Sequence, residues 1–216
     1  MPDPRKALVV GATGLIGAFV LKRLLDSEHY QRVTVWVRRP LAVKHPKLTM
    51  EVVDFDKLEE HRVDAEDVYC CLGTTIKVAG SQDAFRRVDY EYPVALAKAA
   101  AKGGAKRILV VSALGANSKS TVFYSRVKGE MQDAVRAAGV PIAIFFQPSM
   151  LSGRVDDKRF WEDVATAVGN VIGPLLGKYR PIHGDIVAQA MVKAAVEGMG
   201  SRVVESGAIR KLATRA

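Results

Sequence analysis

The chain has 216 residues, 49% of them hydrophobic and 25% charged, with a net charge of +9. Those proportions exclude a disordered chain, and no run approaches the roughly 20 apolar residues of a membrane helix. The length fits one domain with a real core, and the dispersed basic residues, without a run of five or six, argue against a nucleic-acid footprint.

In chain order the first element is Ala7-Leu8-Val9-Val10, a short continuous apolar run expected of a strand buried on both faces. Gly11, Gly14 and Gly17 follow, and then Ile16, Val20, Leu21, Leu24 and Leu25 recur at helical spacing. Glycines on a strand-to-helix turn let something approach the backbone: helix-end N–H groups would face a pyrophosphate, and Gly17 would let helix and strand pack closely. The competing reading is an ordinary tight turn. "RVTVWVRRP" alternates and is β-branched, so it predicts a second strand ending at Pro40. About 20 positions after such a turn, an acidic residue would hold the adenosine ribose. Here the place reads Val37-Arg38-Arg39. Guanidinium groups bind a 2′-phosphate through charge-assisted pairs, so the expected cofactor is NADP(H), unless both arginines are merely solvated.

"LTMEVVDF" predicts a third strand, at whose end Asp54 either accepts from the adenine amino group or caps the next helix. "DVYCCLG" predicts a fourth, stopping at Gly73. A long alanine-rich helix is expected over 84–101, with Pro93 as a start or kink. "RILVVSALG" gives a fifth strand, 122–138 a helix stopped by Gly139, and "VPIAIFFQP" a sixth strand. Residues 156–177 predict a helix and loop, in which Phe160 and Trp161 suit an apolar lid or ordinary core packing equally. A last helix is expected from Asp185, as N-cap, to Gly198. Alternating β and α of this kind implies an α/β protein: a doubly wound parallel sheet with helices on both faces. No linker or repeat divides residues 1–216, so one domain is expected, with a small lid region at about 150–183.

Tyr124 and Lys128, at i and i+4, lie on one helix face. Ser112 stands at the carboxyl end of the fifth strand, the edge where such sheets bind ligands. In this reading Ser112 holds a substrate oxygen, Tyr124 exchanges a proton with it, and Lys128 favours the tyrosinate electrostatically.

With these residues assembled, the chain resembles an atypical short-chain dehydrogenase/reductase, a single-domain Rossmann fold. "GATGLIG", "CCLGTT", "FRRVDYEY", "LVVSALGA" and "YSRVKGE" stand in that family's order over about residues 5–200. It is most similar to the branch of the Tat-interacting-protein oxidoreductases and their bacterial relatives. The resemblance implies NADP(H) along the strand ends, touching Gly11, Thr13, Gly14, Leu15, Ile16, Arg38, Leu72, Gly73, Tyr124, Lys128 and Pro148. It also implies that Ser112, Tyr124 and Lys128 form the active constellation. Where relatives often have Arg-Pro-Gly, this chain has Gln147-Pro148-Ser149. It also leaves little sequence for a separate substrate domain, which counts against a sugar-nucleotide epimerase.

The two cysteines, Cys70 and Cys71, are neighbours, a poor arrangement for a structural disulfide. They read as small apolar core residues in a reducing, cytoplasmic home, and "MPDPRK" leaves no room for a signal peptide before the first strand. The scattered histidines lack metal-ligand spacing, so no metal site is expected, and His183 reads as a loop residue capping a helix. The function expected is an NADPH-dependent reductase of a small carbonyl or quinone-like substrate. The alternative is an NADP(H)-binding sensor with little turnover. Neither the substrate nor the oligomeric state is written in the sequence; a homodimer is what the resemblance allows, since related folds often pair through helices like those near 85–101 and 122–138.

Overall fold

The computed structural model of the protein describes residues 4–152 and 180–215. The helix and loop expected over 156–177, with Phe160 and Trp161, lie outside the described residues, as does most of the lid region.

Strands β1 (Arg5–Val10), β2 (Tyr30–Val37), β3 (Leu48–Val52), β4 (Asp67–Cys70), β5 (Arg107–Val111) and β6 (Ile142–Gln147) are joined by a late strand, β9 (Arg202–Glu205). They form one seven-stranded sheet in the order β3-β2-β1-β4-β5-β6-β9, every pair parallel. The order reverses between β1 and β4, which opens a crevice at the carboxyl ends of those strands. A separate pair, β7 (Leu151–Ser152) with β8 (Ile182–His183), adds a short parallel ladder.

Period-2 alternation divides the core. Ala7 and Val9 face α1 (Leu15–Asp26), α6 (Gly184–Val196) and α7 (Ser206–Thr214), while Leu8 and Val10 face α4 (Tyr92–Lys102) and α5 (Phe123–Ala137). Both faces of the sheet are therefore covered, as the continuous apolar runs require.

Three expectations are corrected. The long helix over 84–101 is a chain of pieces. A short α2 (Ile76–Ala79) precedes it; α3 (Gln82–Arg86) then runs into a π turn over Arg87–Glu91 and on into α4. Pro93 has no N–H to offer the carbonyl four residues back, at Asp89, and the wider turn accommodates that loss. The cap of α6 is His183, whose ring accepts from the Asp185 N–H, as expected of the histidine and not of Asp185. Asp185 instead pairs with Arg23 through two 2.9 Å hydrogen bonds and pins α6 to α1. Finally, β9 and α7 lie beyond Gly198, where the sequence patterns predict no element.

Candidate active site

The glycine turn forms the floor of the crevice. Gly11 has φ +90°, and a Cβ there would stand 2.6 Å from the Cys71 carbonyl oxygen at the end of β4. A Cβ on Gly17 would meet the Gly11 carbonyl oxygen at 2.0 Å, so α1 rests directly on the turn. The Gly14 N–H donates to Gly11 O at 3.0 Å. The first turn of α1 carries neither a side-chain cap nor an acidic residue. Its free N–H groups and positive helix end suit an anion, which fits the pyrophosphate of a dinucleotide. Ile16 is buried in the core and Leu15 packs against Gly184, so these two anchor the helix with their side chains.

Beside the turn lies a cavity of about 510 Å³, bordered by Gly11, Thr13, Arg38, Arg39, Phe55, Leu72 and Tyr92 among others. Among the described residues no carboxylate lines it. The Arg38 guanidinium lies 5.9 Å from the centre of the Phe55 ring, and Phe55 meets Tyr92 edge-on at 5.6 Å. Tyr92 Oη donates to Asp56 Oδ1 at 2.9 Å. Of the two roles open to Asp54, the structure contains the cap: its carboxylate accepts from the Asp56 N–H at the head of the 3-10 turn Phe55–Glu60.

Farther along the same edge stand Tyr124 and Lys128 on α5. Gly129 permits this placement, since a Cβ there would lie 2.0 Å from the Ser118 nitrogen in the preceding loop. Phe85 packs on the Tyr124 ring at 5.4 Å. Lys128 Nζ lies 2.7 Å from Asp89 Oδ1, and Asp89 Oδ2 accepts from the Thr74 N–H at 2.9 Å. Lys128 is only 4% exposed and Asp89 0%. Burial opposes the ammonium charge, but Asp89, with Tyr124 beyond it, outweighs that and holds the Lys128 pKa above its ordinary 10.5. Asp89 Oδ1 has the Lys128 ammonium as its partner. A Cβ on Gly73 would stand 3.5 Å from it and 3.7 Å from Lys128 Nζ, so the missing side chain leaves a gap bordered by both charges. A buried ion pair facing a glycine-made gap fits a hydroxyl-bearing ligand passing Gly73.

Ser112 is placed differently. Its Oγ accepts from Gln132 Nε2 at 2.7 Å, and Gln147 Nε2 lies 3.4 Å from Gln132 Oε1. Gln132 is eight residues beyond Tyr124, about 12 Å along the helix axis. Gly73, Asp89 and Lys128 meet at one point, with Tyr124 one turn before Lys128 on the same helix and Gln132, the partner of Ser112, one turn after it. Pro148, at the end of β6, accepts from the Leu114 N–H at 3.0 Å and ties the β5 loop to that edge.

Asp89 and Gln132 are the site residues the sequence reading missed. Gln132 continues the i, i+4, i+8 row of Tyr124 and Lys128. Asp89 lies four residues before a mid-helix proline, where a break in the α pattern is expected.

A doubly wound parallel sheet with an uncapped glycine turn at its switch point defines a nucleotide-binding protein. The comparisons agree: residues 11–155 match the family described as NAD(P)H-binding, and the chain belongs to that family. Protein FMP52-1, mitochondrial, of Scheffersomyces stipitis is 33% identical over 199 residues, covering 88% of each chain. Protein HTATIP2 of Rattus norvegicus is 35% identical over 153 residues, 68% of this chain and 63% of that protein. The resemblance to atypical short-chain dehydrogenases/reductases holds. Among solved structures, MoeE5 in complex with UDP-glucose and NAD superposes with a TM-score of 0.70 at 18% identity, covering 92% of this chain and 75% of that one. The human epimerase family protein SDR39U1 with NADPH gives 0.66 at 19% identity, covering 92% and 72%. These two likenesses establish the fold.

One expectation is overturned here. The relatives from Scheffersomyces stipitis, Eremothecium gossypii and Candida albicans are all named mitochondrial, against the cytoplasmic home read from the cysteines. Unpaired cysteines report a reducing environment, and that does not single out one compartment. No helix among the described residues is long and apolar enough to cross a membrane.

Proposed function

We propose that the protein is an NADP(H)-dependent reductase of a small carbonyl or quinone-like substrate. The observation that carries this reading is Tyr124 on the helix face of a buried, charge-fixed Lys128, at the same sheet edge as the uncapped glycine turn. Arg38 and Arg39 border a cavity that has no carboxylate among the described residues, which favours a 2′-phosphate over a bare ribose. Gly11, Thr13, Gly14 and Gly17 would hold the pyrophosphate with Leu15 and Ile16 anchoring the helix, while Leu72, Gly73 and Pro148 would border the nicotinamide half.

A bound nicotinamide supplies the hydride. Tyr124 gives its proton to the substrate oxygen, and the Lys128 ammonium favours the phenolate left behind. Ser112, already accepting from Gln132, keeps its own proton in this reading. Ile76 and Val78, exposed on the short helix after Gly73, and Val122, exposed just ahead of Tyr124, would suit an apolar substrate.

The test is a calorimetric titration with NADPH and NADH, followed by turnover of a carbonyl and quinone panel. Tyr124→Phe is expected to lower kcat on the order of a hundred-fold while NADPH affinity stays within two-fold, and Ser112→Ala to cost far less. Unchanged turnover in Tyr124→Phe, or no binding of either cofactor, would overturn the proposal.

The engagement of Ser112 by Gln132 favours a second reading, an NADP(H)-binding sensor with little turnover. That reading requires the NADPH and NADP+ forms to differ in amide hydrogen exchange at the surface, and identical protection would end it.

A further inference from the structure

We infer that Asp89 lets this site accept the oxidised form of a nicotinamide dinucleotide, and that the Asp89–Lys128 pair sets its preference between the two redox states. The inference rests on the proposed cofactor reading and adds to it a determinant of redox-state specificity.

The oxidised ring carries a positive charge that the reduced ring lacks, and the two forms are otherwise similar in size. A site therefore tells them apart mainly through fixed charges close to the ring. Two such charges border the gap at Gly73: Asp89 Oδ1 and Lys128 Nζ, at 3.5 and 3.7 Å from where a Cβ would stand. Both side chains are almost wholly buried, so water and salt screen them little. The glycine turn and the arginine-lined cavity occupy the β1–β2 side of the switch point. A dinucleotide lying across the strand ends must then continue past Gly73, at the end of β4, toward α5.

The two charges act in opposite directions there. Lys128 alone would be an unscreened cation facing a cationic ring. Asp89, 2.7 Å from it, offsets that repulsion and leaves the gap close to neutral. The carboxylate is held for this by the Thr74 N–H and by the π turn that Pro93 imposes. With glycine at 73 the edge of the pair stays open to a ligand, where a Cβ would fill the gap at contact distance from both charges.

The test measures dissociation constants for NADPH and NADP+ by calorimetry on the full chain and on Asp89→Asn, Lys128→Met and the double variant. Asp89→Asn should weaken NADP+ relative to NADPH on the order of ten-fold, Lys128→Met should shift the ratio the other way, and the double variant should return near the parent ratio. Equal weakening of both forms in every variant would mean the pair only holds structure, and the inference would fall. A parent protein that binds both forms, with ratios unmoved in all variants, would likewise end it while leaving the cofactor reading intact. Binding of neither form by the parent protein would instead overturn the cofactor reading. Should Asp89→Asn fail to fold, Lys128→Met and the double variant still carry the comparison.

Discussion

At the scale of single residues, backbone clearance governs the site. Gly17 has the Gly11 carbonyl oxygen where its Cβ would stand, at 2.0 Å, and that obstacle is backbone. Gly17→Ala must lift α1 off the turn and spoil the anion seat. It is expected to cost about 1–3 kcal/mol of stability in urea unfolding and to weaken NADPH binding more than ten-fold. Retention of parent-like affinity would show that the helix end does not seat the pyrophosphate. The cysteines behave as core. Burial pushes the Cys70 thiol up to about 12, so it carries almost no thiolate at neutral pH. Native protein should therefore leave Cys70 unlabelled by a thiol reagent that modifies it fully in denaturant.

At the scale of elements, the most consequential departure from regular structure is the π turn between α3 and α4. A continuous helix would rotate Asp89 relative to α5. The wider turn buries its carboxylate against Lys128 and the Thr74 N–H instead. The other informative element is the C-terminal unit. β9 adds to β6 in parallel, with Phe145 opposite Val203, and α7 lays Ile209, Leu212 and Ala213 on the core shared with α1 and α6. Leu212→Ala is expected to cost about 2–4 kcal/mol, as any core leucine would. A loss under about 0.5 kcal/mol in denaturant unfolding would mean this helix does not pack as described.

At the scale of the whole molecule, the sheet has a polar knot at the edge opposite the site. Asp67, fully buried, accepts from Arg5 and Arg107 at 2.9 Å each and from Tyr30 Oη at 2.7 Å. Tyr30 and Tyr69 share a further hydroxyl contact at 2.8 Å. Arg5 also donates to the Ala195 and Val196 carbonyls, closing the end of α6 onto the sheet. Burial, and then the neighbouring Asp67, raise the Tyr30 phenol above its ordinary 10.0; burial, and then Tyr30, raise Tyr69. Unfolding lets both ionise near 10, so above that pH the folded state holds more protons and stability falls as pH rises. Lys128, also raised, contributes in the same direction above its ordinary 10.5. The urea midpoint should fall above pH 10, and less steeply in Tyr30→Phe. An alkaline slope unchanged by that substitution would contradict the assignment.

The sequence by itself determined the elements whose signals fit within one short window. The β1 run, the glycine turn and the amphipathic α1 are legible because both strand and helix periods sit inside about 20 residues. The Tyr124–Lys128 face follows from helical spacing alone. The tertiary structure decided the partners. Asp89 meets Lys128, and Gln132 reaches Ser112, only because the parallel sheet brings the ends of β4, β5 and β6 side by side under α5. No local period carries that information. The same holds for β9, whose four residues, Arg-Val-Val-Glu, become a strand because β6 offers an open edge and α7 covers the joint. Pairing energy between distant segments, and not local propensity, made those choices.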